Sequence, residues 1–280
     1  MGMSKMKTRI ARLLLAALLA ISVGGLGAQE AGDAIINAPV GGSVTQIVAF
    51  YNQYANAVKA ADSITIVKYD AREMAMEIPF VLRALVPRAM REYTPKQTTV
   101  TETFINGEGT NDATRVLTGF LPVKGKLVVS QLRASHVQSA NCVKRGDDWI
   151  VTILLKDEPL DAMLNNPRDY ENMSEAEREK LMNDFLFESG YGSSMDLDIM
   201  GSEMQQETED RRQPSNIDTK LLKYEGGFRN GRIVATISQK GRLTSLTHSY
   251  NMNMNVSLLL MKMRMNSSLL QEYQFIYPAG

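Results

Sequence analysis

The chain has 280 residues with 31 basic and 31 acidic side chains, two histidines and a single cysteine, Cys142. One cysteine excludes an internal disulfide, so the fold must rest on packing alone. The balanced charge, with no extended Lys/Arg run interleaved with aromatics, argues against a nucleic-acid partner. That balance hides a segregation: residues 157–210 carry 16 acidic and three basic side chains. This marks a separate acidic unit, attracted to a basic remainder through a salt-screened interaction.

Lys5, Lys7, Arg9 and Arg12 lead into the apolar run Leu13–Val23 and a small-residue tract, Gly24–Ala28. A positive stretch, a short apolar run and a small-residue exit describe a secretory signal peptide over residues 1–28, with cleavage after Ala28. The run is 11 residues long, short of the ~18 to 20 needed to cross a bilayer. No cysteine stands near the exit to carry a lipid anchor. The expectation is an exported protein, extracellular or associated with the cell envelope, with no transmembrane segment in the mature chain; the alternative is an uncleaved signal anchor.

Residues 29–42, with Pro39 and Gly41-Gly42, read as a flexible lead. Ser43 and Gln46 form a capping-box pattern. Val44, Ile47, Val48, Tyr51, Tyr54 and Val58 then recur at helical spacing, with Asn52, Gln53, Asn56 and Lys59 on the other side; this predicts an amphipathic helix packed on a sheet. Residues 63–69 predict a strand, and 79–93 a helix divided by Pro87. Residues 98–105 predict a Thr-rich strand, followed by a turn at Asn106-Gly-Glu-Gly109. From Leu127 to Lys156 the pattern is a β-arm, a turn at 144–148 and a return arm, Trp149–Leu155, apolar on both faces.

In the acidic unit, Ser174-Glu-Ala-Glu177 predicts the start of a helix through Glu188, and residues 189–215 read as a mobile connector. The C-terminal region is β: a hairpin from Arg232–Ser238 through a turn at 239–242 into Leu243 onward, then strands over 256–265 and 269–277. The resulting fold class is α+β, a curved antiparallel sheet packed around one or two N-terminal helices with an acidic helical insertion. Residues 43–156 supply the helix and one half of the sheet, 157–215 the acidic helical or flexible insertion, and 216–280 the C-terminal half of the same domain.

The alternation in the last strands gathers Tyr250, Met252, Met254, Met261, Met263, Tyr273 and Phe275 into a Met- and Tyr-rich face. Methionine is flexible and polarizable, so such a face suits variable apolar ligands; the competing reading is plain core. Asp196, Asp198, Gly201 and Glu207 fall at the first, third, sixth and twelfth positions of a calcium-loop pattern, but Met200 supplies no oxygen at the fifth, so the segment is a weak metal candidate. His136 and His248 each fall inside a predicted strand without a second ligand at metal spacing. There is no Gly-x-Ser-x-Gly elbow and no phosphate-cradling glycine loop before a helix. No cofactor and no catalytic residue is implied, and Cys142 reads as a buried, inert thiol.

At Val44–Asn52, at Val137–Asn141 with the Gly146–Ile153 hairpin after it, and at Gly231–Ile237 followed by Lys240–Leu246, the chain resembles uncharacterised exported proteins of Gram-positive anaerobic bacteria. Those proteins supply no activity to carry over. Function from sequence is therefore an expectation of class: an exported, non-enzymatic protein binding a lipid or other apolar or amphipathic ligand on the Met/Tyr face. The alternative is a structural or interaction protein of the cell envelope with a filled core, and a hydrolase is the minor one.

Overall fold

Ser43 starts the long helix α1 (Val44–Ala57). The Gln46 amide donates to its hydroxyl at 3.4 Å, and the Ser43 amide donates to Gln46 Oε1 at 2.9 Å. This is the reciprocal cap that the Ser-x-x-Gln spacing predicts. One 3₁₀ turn, Val58–Ala60, continues it. The structure is a computed structural model and describes residues 36–85, 94–159, 188–196, 222–258 and 261–278. The signal-peptide region, Asp198, Glu207 and the expected helix from Ser174 lie outside them.

The strands are β1 (Ser63–Glu77), β2 (Lys96–Ile105), β3 (Glu108–Gly109), β4 (Val137–Arg145), β5 (Asp148–Leu155), β6 (Glu158–Pro159), β7 (Leu222–Ile237), β8 (Leu243–Leu258) and β9 (Met261–Ile276). They form one antiparallel sheet in the order β3-β2-β1-β9-β8-β7-β5-β4, with β6 also on β7. The chain is thus α+β and mostly antiparallel sheet. Asn106 and Gly107, both at positive φ (50° and 84°), make the tight β2–β3 reversal that Asn-Gly favours. Among the described residues no helix is long and apolar enough to cross a membrane.

Several elements differ from the sequence expectation. β1 runs eight residues past Tyr69, because Glu73, Ala75 and Glu77 are exposed while Met74 and Met76 pack against the core, an alternation that sustains a strand. The expected helix over 79–93 is a 3₁₀ segment at Phe80–Leu85, and 86–93 lie outside the described residues. The expected arm from Leu127 is strand only from Val137, so His136 sits in a 3₁₀ turn (Ala134–His136) rather than in a strand. At the C-terminus the two strands expected over 256–265 and 269–277 are replaced by 16-residue β8 and β9 pairing throughout, from Ser245↔Gln274 to Leu258↔Met261.

The helix also departs from a simple apolar and solvated division. Ile47, Val48, Phe50, Tyr51 and Ala55 are buried; on the opposite side Gln53 is exposed, but Asn52, Asn56 and Lys59 hold chain rather than water. Asn56 Oδ1 accepts from the amides of Val129 and Ser130 at 2.8 Å each, and Asn52 Nδ2 donates to the Leu132 carbonyl at 2.9 Å. Lys59 Nζ donates toward five carbonyls, of Thr118, Pro122, Val123, Lys126 and Val128, at 2.7 to 3.2 Å. Val123 has φ 56°, a region a β-branched residue enters only when its surroundings hold it there. Its carbonyl is one of the five.

Candidate binding face of the sheet

The register of β1, β9, β8 and β7 sorts side chains onto two faces. On the inner face, facing α1, successive cross-strand rows are Lys68–Tyr273–Leu246, Asp70–Gln271–His248, Arg72–Leu269–Tyr250, Met74–Ser267–Met252 and Met76–Met265–Met254, followed by Met263–Val256 and then Met261. The sequence Asn251-Met-Asn-Met-Asn255 is therefore split by the pleat, methionines inward and asparagines outward. The same parity turns Met261, Met263 and Met265 inward, and Lys262 and Arg264 outward.

Four residues of the expected ligand face, Tyr250, Met252, Tyr273 and Phe275, are buried in the core cluster, while Met254, Met261 and Met263 are half-buried. The face thus divides into an aromatic core end and a Met-lined end. Seven inward methionines from three strands fall in these rows; Met252 and Met265 are buried in the core, and Met74, Met76, Met254, Met261 and Met263 are half-buried. Met74 and Met76 escaped the sequence reading because β1 was expected to stop at Tyr69.

The core end is filled in part by a segment expected to be a mobile connector. Residues 191–196 are buried. Tyr191 stacks on Phe228 (5.1 Å between centroids, 25°) and meets Tyr250 edge-on at 5.9 Å. Glycine and serine here allow close packing rather than freedom: Gly190 leaves room for His136, and the Ser194 hydroxyl donates to the Gly190 carbonyl.

Asp196, at the end of this segment, organises a polar cluster within the core. Its carboxylate accepts from Lys124 Nζ at 2.9 Å, Lys68 Nζ at 3.2 Å and Gln271 Nε2 at 3.4 Å. Burial acts to raise its pKa, but the two ammonium groups outweigh that and hold the carboxyl below its ordinary range. This residue, read as the first ligand of a weak calcium loop, is charge-compensated by lysines, and among the described residues no group of His, Cys, Asp and Glu is placed to hold a metal. Gln271 Nε2 also donates to Asp70 Oδ2 at 2.8 Å. Lys68 Nζ lies 5.4 Å from the Tyr273 ring centroid and 5.8 Å from that of Phe120, within cation–π range.

Among the described residues, three buried polar atoms of this cluster lack a partner: His248 Nδ1, Gln271 Oε1 and the Tyr273 hydroxyl. His248 faces Tyr51, Nε2 to hydroxyl 3.5 Å. Burial drives its pKa down to about 3, against the opposing charge of Asp196. Burial likewise pushes the Tyr273 phenol up. Both side chains are therefore neutral hydrogen-bonding groups at pH 7. Unpartnered buried polar atoms are costly, and these three belong to neighbouring inward rows, Asp70–Gln271–His248 and Lys68–Tyr273–Leu246.

Lys68, Asp70, Lys124 and Gln271 were not singled out from the sequence. The signal lay in parity, since Lys68, Asp70, His248 and Gln271 occupy inward positions of their strands. Cys142 is fully buried and burial raises its pKa, as an inert thiol requires. Compared with protein-family models, with curated proteins and with solved structures, the chain matches none.

Proposed function

We propose that the protein is exported and acts as a non-enzymatic binding protein, taking an amphipathic ligand such as a lipid on the inner face of a curved sheet. The carrying observation is the adjacency on that face of five half-buried methionines of β1, β8 and β9 (Met74, Met76, Met254, Met261 and Met263) and a buried cluster with three unpartnered polar atoms, with the row Arg72–Leu269–Tyr250 and the buried Met252 and Met265 between them. Methionines adapt to variable apolar chains. Neutral His248, Gln271 and Tyr273 supply directed partners for an uncharged polar head. The test is native mass spectrometry with organic extraction on the full chain purified from an exporting host. A reproducible bound amphiphile supports the reading.

Burial of Tyr250, Met252, Tyr273 and Phe275 favours a second reading, an envelope interaction protein whose filled core only supports a binding surface. A clean ligand-free mass with salt-sensitive capture of an envelope component would establish that alternative.

A further inference from the structure

The outer face of the same sheet carries a groove of about 650 Å³, lined by Glu73, Asn251, Asn253, Asn266, Ser268 and Arg229 among others. The register places Glu73, Ser268, Asn251 and Arg229 in one row across four strands, with Ala75, Asn266 and Asn253 in the next. Among the described residues, none of the six polar side chains has a hydrogen bond or ion pair. Asn253 Oδ1 is buried and unpartnered. This is an amide- and hydroxyl-lined floor with one acidic end and one basic end.

Neighbouring strands lie ~4.8 Å apart, so Glu73 and Arg229 stand about 14 Å apart along the row. A three-residue extended peptide spans ~10 Å, a length that inward-leaning Glu and Arg side chains close on. We infer that the groove binds a short peptide through its free termini. Glu73 takes the ammonium, Arg229 takes the carboxylate as a bidentate partner, and the Asn251, Asn253 and Asn266 amides pair with its peptide groups. A phosphate or nucleotide is disfavoured because, among the described lining residues, the single cation Arg229 is balanced by Glu73. A saccharide lacks its usual stacking platform among the described residues, since none of those that line the groove is aromatic.

The test is titration calorimetry of the full chain with trialanine, N-acetyl-trialanine amide and a neutral trisaccharide. Trialanine binds saturably; blocking one terminus weakens it about tenfold, the scale of one lost hydrogen bond to a charged group, and blocking both weakens it about a hundredfold. Arg229→Gln weakens trialanine but leaves trialanine amide unchanged, and Glu73→Gln weakens trialanine but leaves N-acetyl-trialanine unchanged. Both positions are exposed, and unaltered urea midpoints confirm folded variants. Equal binding of free and blocked peptide, preference for the trisaccharide, or no saturable binding of trialanine overturns the inference. A null result here leaves the inner-face reading untouched, because the two faces share no side chain that either experiment alters.

Discussion

Gly231 and Tyr191 are in direct contact: the Gly231 amide donates to the Tyr191 hydroxyl at 3.0 Å, and a Cβ at Gly231 would lie 2.6 Å from a ring carbon. The bare backbone of β7 is what lets the 188–196 segment seat its tyrosine on the sheet and bring Asp196 to Lys68. Gly231→Ala therefore displaces the ring. The expected cost is about 2 kcal/mol in urea unfolding. In a Tyr191→Ala background the same substitution should cost below about 0.5 kcal/mol, because the obstructed ring is gone. Equal costs in the two backgrounds would mean the segment is not docked there.

Lys59 works as an internal cation for the loop between residues 117 and 128. Burial pulls its pKa down to about 8 while Asp196 acts to raise it, and the five surrounding carbonyls favour the charged form. Lys59→Met removes the donor and strands those carbonyls, with an expected loss of 3 kcal/mol or more, on the order of breaking a buried charged network. Lys59→Arg does not rescue it, since a planar guanidinium fork cannot replace a point charge in a cage of carbonyls. Hydrogen exchange should show lost protection centred on residues 118–128 in both variants. Unchanged protection there would refute the assignment.

The buried His248 makes the fold acid-sensitive. Its folded pKa is about 3, against ~6.5 unfolded. Below pH 6.5 the unfolded chain binds a proton that the folded chain does not, so stability falls by about 1.4 kcal/mol per pH unit toward pH 3. Asp196, whose folded pKa is depressed, adds a loss of the same sign at lower pH, as its ion pairs with Lys68 and Lys124 are protonated away. His136 is shifted down as well, so the readout is a difference. The stability gap between wild type and His248→Gln should shrink, or reverse, as pH falls from 7 to 4.5. A gap constant across that range would contradict a buried neutral histidine.

What the sequence made legible follows from where local chemistry agrees with the fold. The Ser43–Gln46 cap, the Asn106-Gly107 turn and the β4–β5 hairpin are all written in residues a few positions apart. β8 and β9 were misdivided because Asn266-Ser267-Ser268 interrupts the apolar pattern in mid-strand, and hydrophobicity alone takes that for a break. The 188–196 segment was misread for a related reason: its glycines and serines are the composition of a linker, yet here they permit burial against Gly231 and His136. The polar cluster needed long-range register to be seen. Asp196 meets Lys68 and Gln271 only after residues far apart in sequence are brought onto one face.

Met261 separates the two functional readings most cleanly. It sits in the last inward row, half-buried opposite Leu258, whereas Met252 is 3% exposed within the core. A carboxylate at a fully buried apolar position costs several kcal/mol, enough to unfold a marginal domain. At a half-buried position it retains water and costs about 1 kcal/mol or less. Met252→Glu should therefore fail to fold, while Met261→Glu folds but loses any co-purifying amphiphile, because the charge now meets its apolar chain. Thermal unfolding and native mass spectrometry on the same preparations give both answers. A folded Met261→Glu variant with undiminished ligand retention would refute the Met-lined site. An unfolded one would place Met261 in the core and favour the envelope interaction reading.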